Sequence, residues 1–198
     1  MITFDFKNKI TNPYSQMLKF YKRALKENQK YIEAACLSTV SNSNKPYSRF
    51  VNIKYFNDNR IIFFSNYNSQ KANHINNNNN VAINFFWDCI NTQIRIEGKI
   101  YKLSTKQSDL HWGKRDDKKN ALAISSDQSK KAISYSHVRK KYYDIYKNFD
   151  LSVRPKYWGG YYIRPTYFEF WEGNKNRINR RKAFKKQNNK WVSFFLQP

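Results

Sequence analysis

Three observations predict a mainly β domain with flanking helices, α+β in class. Aromatic residues make up 18% of the 198, and Phe and Tyr in such numbers favour pleated, half-buried strands over a helical bundle. Several short segments combine strand-forming residues with polar/apolar alternation, the pattern of a strand with one buried face. Only short helical patterns interrupt them, so the strands follow one another as an antiparallel meander, which points to a barrel. Residues 1–198 are read as one domain with a real core, in which residues 1–30 form a helical segment packed on the barrel.

Asn12-Pro13 reads as an N-cap followed by proline in the first helical turn. Tyr14, Met17, Leu18, Tyr21 and Leu25 then recur at helical spacing with Lys19, Lys22 and Arg23 opposite, an amphipathic helix that ends near Asn28 and gives its apolar stripe to the core. Ala34–Val40 is a short strand, followed by a polar turn over residues 41–46. Residues 48–71 read as a strand, a turn at Asn57-Asp58-Asn59, a second strand and a helix running from about Ser69 to Asn76. Val81–Trp87 has strong strand propensity, and Thr92–Leu103 alternates, with Ile94, Ile96 and Ile100 on one face and Arg95, Glu97 and Lys99 on the other. Ser104 caps a helix reaching about Lys114, and residues 115–130 read as polar and irregular around a small apolar centre. A helix from about Ser136 carries Val138, Tyr142, Ile145, Tyr146 and Phe149 on one face. Residues 158–173 read as two aromatic strands broken at Arg164-Pro165, and a basic segment (175–190) precedes a last strand over 191–197. No internal repeat or long linker divides the chain.

Lys and Arg number 37 against 14 Asp and Glu, a net charge of +23. Such an excess points to nucleic acid, an anionic membrane or phosphorylated small molecules as partners. The chain is also crowded with Asn, including Asn76–Asn80, and a coding bias toward Lys and Asn would scatter the same charge without function. Charge alone leaves both open. Lys140-Lys141-Tyr142-Tyr143 is the stretch where cations and aromatics interleave, but without a recognition motif no nucleic-acid partner is expected. Cys36 and Cys89 form neither C-x-x-C nor a metal-ligand spacing, so no metal and no disulfide framework is expected. No apolar run approaches the ~18 residues of a membrane span; no membrane partner is expected, and the expected location is cytoplasmic.

The motifs of dinucleotide, P-loop, zinc-protease and serine-hydrolase sites are all missing. His74, His111 and His137 are spread out, and His74 and His137, in helical patterns with polar neighbours, are expected at the surface. With so few acids, paired carboxylates are hard to assemble, and the chemistry falls to a cofactor. Residues 48–71 stand out. Arg49 and Lys54 sit inside a strand that supplies no acid, and Lys71 falls where a helix begins. Half-buried cations need an anion, and a helix N-terminus beside Arg and Lys is a natural phosphate site. Two further segments accompany it: Gln128-Ser129, and residues 170–181, where Arg177 and Arg181 follow an aromatic strand end. Trp171 there either stacks on a planar ligand or packs in the core.

In order and spacing, N-K-P-Y-S-R-F-V-N-I-K, F-F-S-N-Y-N-S-Q-K, the Q-S pair, W-G-G-Y and E-F-W-E-G-N-K-N-R-I-N-R-R resemble the pyridoxamine 5'-phosphate oxidase family, over a stretch from about Asn12 to Pro198. The resemblance implies an FMN-binding split β-barrel, homodimeric, with FMN at the subunit interface. It implies that Arg49, Phe50, Val51, Asn52, Ile53 and Lys54 line the flavin and that Arg49 and Lys71, with Gln70 beside them, hold its phosphate. Phe64, Ser65, Gln93, Gln128, Ser129, Trp171 and Arg181 would complete the FMN site from both subunits. Lys54, His111, Arg115, Lys119, Arg177 and Asn179 would bind a phosphorylated B6 vitamer, with Arg177 and Asn179 at the catalytic positions. The implied reaction oxidises the 4'-amine or 4'-alcohol to the aldehyde by hydride transfer to the flavin, which molecular oxygen reoxidises with release of hydrogen peroxide. Four positions depart from the family: Gln70 for arginine, His111 for tyrosine, Lys119 for serine and Asn179 for histidine. Histidine can still donate a hydrogen bond, whereas asparagine cannot titrate near neutrality. The substrate side has therefore drifted further than the FMN side, either in a true oxidase or in a relative that uses FMN on another substrate.

Overall fold

A computed structural model describes residues 1–6, 12–57 and 59–198; Asp58, at the centre of the expected turn, lies outside the described residues. The strands are β1 (Thr3–Asp5), β2 (Ala34–Val40), β3 (Pro46–Asn57), β4 (Arg60–Asn66), β5 (Asn80–Trp87), β6 (Thr92–Lys102), β7 (Trp158–Glu172), β8 (Arg180–Gln187) and β9 (Lys190–Leu196). The α-helices are α1 (Tyr14–Lys26), α2 (Gln70–Asn77), α3 (Thr105–Trp112), α4 (Asp117–Ser125) and α5 (Tyr135–Asn148).

Strands β3, β2, β5, β6, β7 and β4 pair antiparallel in that circular order, and β4 returns to β3, so a six-stranded barrel closes. Closure removes the free edges that an open sheet exposes. The barrel interior collects alternate residues of each strand: Leu37, Ile53, Ile61, Phe63, Phe85, Ile94, Ile96, Tyr161 and Ile163 are buried together. Tyr14, Met17, Phe20, Tyr21 and Ala24 of α1 join the same cluster, with Phe20 stacked on Phe170 at 5.5 Å. Such ring pairs add about 0.5–1.5 kcal/mol beyond their burial.

Strand β7 is long enough to serve two partners on one side. Its first half pairs β4 from Ile163 back to Trp158, and its second half pairs β8 from Tyr167 to Glu172. It runs unbroken through Arg164-Pro165, where two strands were expected. The β6–β7 register shifts between Glu97 and Gly98, and Gly98 stands opposite Pro165. A Cβ on Gly98 would lie 2.2 Å from the Arg164 carbonyl oxygen, so glycine lets the backbone close in where proline cannot donate to the ladder.

Other expectations are corrected in the same way. Asn12 does not cap α1; Pro13 occupies that position, its carbonyl accepts from Met17 N at 3.0 Å, and Asn12 Oδ1 accepts from the Ser15 hydroxyl instead. Residues 117–125 are helical, not irregular: Asp116 Oδ1 accepts from Lys119 N at 2.9 Å as an N-cap. The basic segment contains β8, whose Ala183 and Phe184 are buried while lysines and arginines surround them. The N-terminal segment contributes β1, paired parallel to β3 over Tyr55–Asn57, beyond the stretch of β3 that pairs β2. Helix α5 forms as expected but buries none of its residues; Val138 on its apolar face is 42% exposed. No described helix is long and apolar enough to cross a membrane.

Candidate functional site

Alternation along β3 puts Arg49 on the face of Val51 and Ile53, but where the barrel interior ends. Its Nη1 donates to the carbonyls of Leu37 (3.2 Å) and Tyr47 (3.0 Å) and to Thr39 Oγ1 (2.6 Å). Ser65 likewise continues the inward face of Ile61 and Phe63 on β4. Helix α2 begins beside them, and Lys71 in its first turn is only 6% exposed. Lys71 Nζ donates to Ser65 Oγ (2.7 Å), Ser69 Oγ (2.8 Å) and Gln128 Oε1 (3.2 Å). Neither cation has a carboxylate partner among the described residues. Burial, and then the Arg49 charge, push the Lys71 pKa down from 10.5 to about 8. His74, expected at the surface, is buried here: its Nδ1 lies 3.0 Å from Thr39 Oγ1 and its ring packs on Tyr47 at 4.7 Å. One buried and one half-buried cation at a helix N-terminus, satisfied by neutral acceptors alone, form a seat for an anion.

A second group lies on the outer face of β4. Phe64 stacks on His111 with ring centroids 3.6 Å apart and on Trp158 at 5.5 Å. Tyr55 Oη is 3.0 Å from His111 Nδ1. Burial, followed by the charges of Arg115, Lys54 and Lys114, pushes the His111 pKa down to about 4, so the ring is neutral. Arg115 lies over Trp158 at 4.4 Å and donates to Asn120 Oδ1 (2.9 Å) and the Lys119 carbonyl (2.7 Å). Lys54, for which its own strand offers no acid, finds Glu33 at 3.8 Å just ahead of β2. Lys119 pairs with Asp116 at the surface. A cavity of about 230 Å³ lined by Phe64, Ser65, Arg115, Lys119, Gln128 and Trp158 joins this group to the first. A larger apolar groove between α4 and α5, lined by Leu122, Val138 and several tyrosines, lies off the paired cations.

The third group is a row across β6, β7 and β8, where Gln93 faces Trp171 and Trp171 faces Arg181. Trp171 is half-buried, outside the core cluster. Arg181 donates from Nε (2.8 Å) and Nη2 (2.7 Å) to Glu169 Oε1, and Arg95 Nη1 reaches Oε2 of the same carboxylate at 3.0 Å. Arg177 is exposed at φ 61° in the loop before β8, and Asn179 Oδ1 accepts from Asn174 N at 3.0 Å.

The remaining expected residues divide. Val51 and Ile53 turn into the barrel core, so only their backbone can face a ligand. Phe50, 75% exposed, and Asn52 point the other way, Gln70 is exposed at the start of α2, and Ser129 is exposed at φ 73°. The row at Trp171 is not brought to the first two groups. Phe64 pairs with Gly160, and Trp171 lies eleven residues further along β7, roughly 35 Å at the rise of an extended strand. Tyr55, Ser69 and Trp158 were missed. The W-G-G run was the available signal for Trp158; nothing local in sequence marks Tyr55.

A profile described as pyridoxamine 5'-phosphate oxidase matches residues 21–148, and one described as the pyridoxine 5'-phosphate oxidase C-terminal dimerisation region matches residues 158–198. The chain belongs to the pyridoxamine 5'-phosphate oxidase family. A Cytophaga hutchinsonii pyridoxine/pyridoxamine 5'-phosphate oxidase is 34% identical over 99% of this chain and 93% of that relative. A Blochmanniella floridana protein of the same name is 39% identical over 83% of this chain and 78% of its own length. Among solved structures, PhzG from Burkholderia lata superimposes with a TM-score of 0.89 at 23% identity, covering 96% of this chain and 95% of PhzG. A Nostoc punctiforme pyridoxamine 5'-phosphate oxidase-related, FMN binding protein gives 0.81 at 15% identity, covering 96% of this chain and all of that one. The split barrel of the family is thus the fold of this chain, and the family's dimerisation region covers β7, β8 and β9.

Proposed function

We propose that this chain is an FMN-dependent oxidase of pyridoxamine 5'-phosphate and pyridoxine 5'-phosphate, acting as a cytoplasmic homodimer with FMN between subunits. Residues 1–198 form one FMN-binding unit in this reading. The observation that carries it is the pair Arg49, half-buried, and Lys71, buried, which have no carboxylate partner among the described residues and sit at the α2 N-terminus. That set fits a phosphate: two cations stand close together beside the start of a helix. Gln70 contributes no charge there, so Arg49 and Lys71 carry the electrostatics.

Lys54 and Arg115, whose charges both act on His111, are the residues proposed for the substrate phosphate. Gln93, Trp171 and Arg181 of the partner copy would approach the flavin from the other side, and Arg177 and Asn179 would stand over the substrate ring. Gln128 and Ser129 close the phosphate end. When bound, FMN supplies the hydride acceptor, and oxygen takes the electrons onward to hydrogen peroxide. The protein's own share is to hold two rings in near-contact and exclude other geometries.

The visible spectrum of the purified protein, followed by turnover of pyridoxamine 5'-phosphate with aldehyde and peroxide measured together, tests the reading. A protein that stays colourless after incubation with FMN refutes the cofactor. A flavin-loaded protein that leaves both vitamers untouched refutes the substrate, and points to the exchanges at His111, Lys119 and Asn179.

A further inference from the structure

His111 stands where the family has a tyrosine, and its surroundings explain how a histidine can take that place. The imidazole lies flat on Phe64, 3.6 Å between centroids and 8° between planes, while Tyr55 meets it edge-on at 5.6 Å and 83°. Tyr55 reaches it because the β3–β4 register shifts between Ile53 and Tyr55, and such a bulge re-aims side chains that regular alternation would send elsewhere. Arg115 and Lys54 both act on the ring, and with burial they keep it neutral.

A neutral imidazole has one N–H and one lone pair. Beside an anion, the lone pair is the wrong group to present, and the nitrogen facing the anion must carry the hydrogen. The other nitrogen then needs a donor of its own, and which tautomer is populated follows from that partner. The partner here is the Tyr55 hydroxyl, 3.0 Å from Nδ1.

We propose that Tyr55 is a positioning residue of the substrate-phosphate seat. By donating its hydroxyl hydrogen to His111 Nδ1, it holds the ring as the Nε2–H tautomer, so that a neutral donor faces a phosphomonoester between Lys54 and Arg115. The seat then combines two cations with one oriented, uncharged hydrogen-bond donor. This inference rests on the proposed substrate class.

The test is Tyr55→Phe in the FMN-loaded protein labelled with 15N at histidine. Removing one neutral hydrogen bond that fixes a ligand donor should raise KM for pyridoxine 5'-phosphate about five- to tenfold, with kcat within about twofold. The 15N shifts of His111 should report Nε2–H in the unaltered protein and a mixture of tautomers in the variant. Inorganic phosphate should perturb the Nε2 signal in the former at lower concentration than in the latter. A merely structural role for Tyr55 would not move the tautomer signals. Retained FMN in the variant reports that it is folded. An unaltered protein in the Nδ1–H form, or equal KM values with unchanged tautomer, overturns the proposal. If the unaltered protein turns over neither vitamer while phosphate still perturbs His111 through Tyr55, the substrate reading falls and the tautomer assignment stands.

Discussion

If Lys71 must be charged to hold a phosphate, FMN affinity should fall as pH rises through the pKa of that lysine in the empty site. The value of about 8 against an ordinary 10.5 comes from burial and then from Arg49, and corresponds to about 3 kcal/mol of disfavoured charge. The sign is that of a base with its folded pKa depressed. Below pH 8 the native protein bears the whole penalty, and the FMN-free form gains stability as pH climbs from 8 toward 10.5, where the unfolded chain also loses its proton. Phosphate binding reverses that preference, because an anion favours the charged lysine. Affinity for FMN should therefore be flat below pH 7.5 and weaken about tenfold by pH 9, one proton taken up per flavin bound. Flavin fluorescence quenching, titrated at fixed ionic strength from pH 6.5 to 9.5, measures this directly. Lys71→Arg, whose guanidinium stays protonated, should remove the pH dependence while binding FMN more weakly at pH 7. Lys71→Met should weaken binding about a hundredfold or more at pH 7, the cost of losing one partner of a buried charge pair. An affinity that stays constant between pH 7 and 9 in the unaltered protein would refute the assignment of Lys71 to the phosphate.

Arg177→Ala should leave FMN retention unchanged and lower kcat/KM for pyridoxine 5'-phosphate by at least tenfold, measured by steady-state assay on protein of equal flavin content; flavin loss with normal turnover of the remaining holoenzyme would reverse its role. Glu169→Gln should lower stability by about 1–3 kcal/mol in urea unfolding, because Arg95 and Arg181, themselves partly exposed, both close on a carboxylate that is 2% exposed. Gly98→Val should cost about 3 kcal/mol or prevent folding, since its Cβ has no room against the Arg164 carbonyl, with circular dichroism melts as the readout.

The barrel was legible because its strands obey one periodicity. Ile94, Ile96 and Ile100 alternate on β6 and all three are buried, and Ala34–Val40 buries every second residue. What sequence hid were elements whose pattern is set by partners. The lysines and arginines of β8 mask an alternation that Phe184 and Ala183 alone reveal. Proline at 165 signals a break, and only the register shift at Gly98 on the neighbouring strand lets β7 continue. Helix α4 has little apolar stripe to read, with Asn120 and Ser125 among its buried residues. At the site, Arg49 and Lys71 were readable as cations without acids, whereas His74 looked like a surface residue because its partners, Thr39 and Tyr47, are distant in sequence.

The length of β7 decides how the candidate site can be built. The phosphate seat and the Phe64 shelf lie near its start, and the Trp171 row lies near its end. A strand cannot fold back on itself to bring them together, so within one chain no single flavin touches both. In the proposed homodimer the residues that resemble an FMN site form two half-sites, and a second copy turned so that its Trp171 row meets the first copy's Phe64 shelf would complete either one. A two-fold axis would do this for both sites at once, because an isologous contact repeats each pairing in reverse. The Arg181–Glu169–Arg95 cluster then has a use that a lone chain does not explain. A nearly buried carboxylate held by two arginines fixes the direction of Arg181 within the sheet, so that in the proposed dimer it would meet a ligand presented by the other subunit without first losing the freedom of a long side chain.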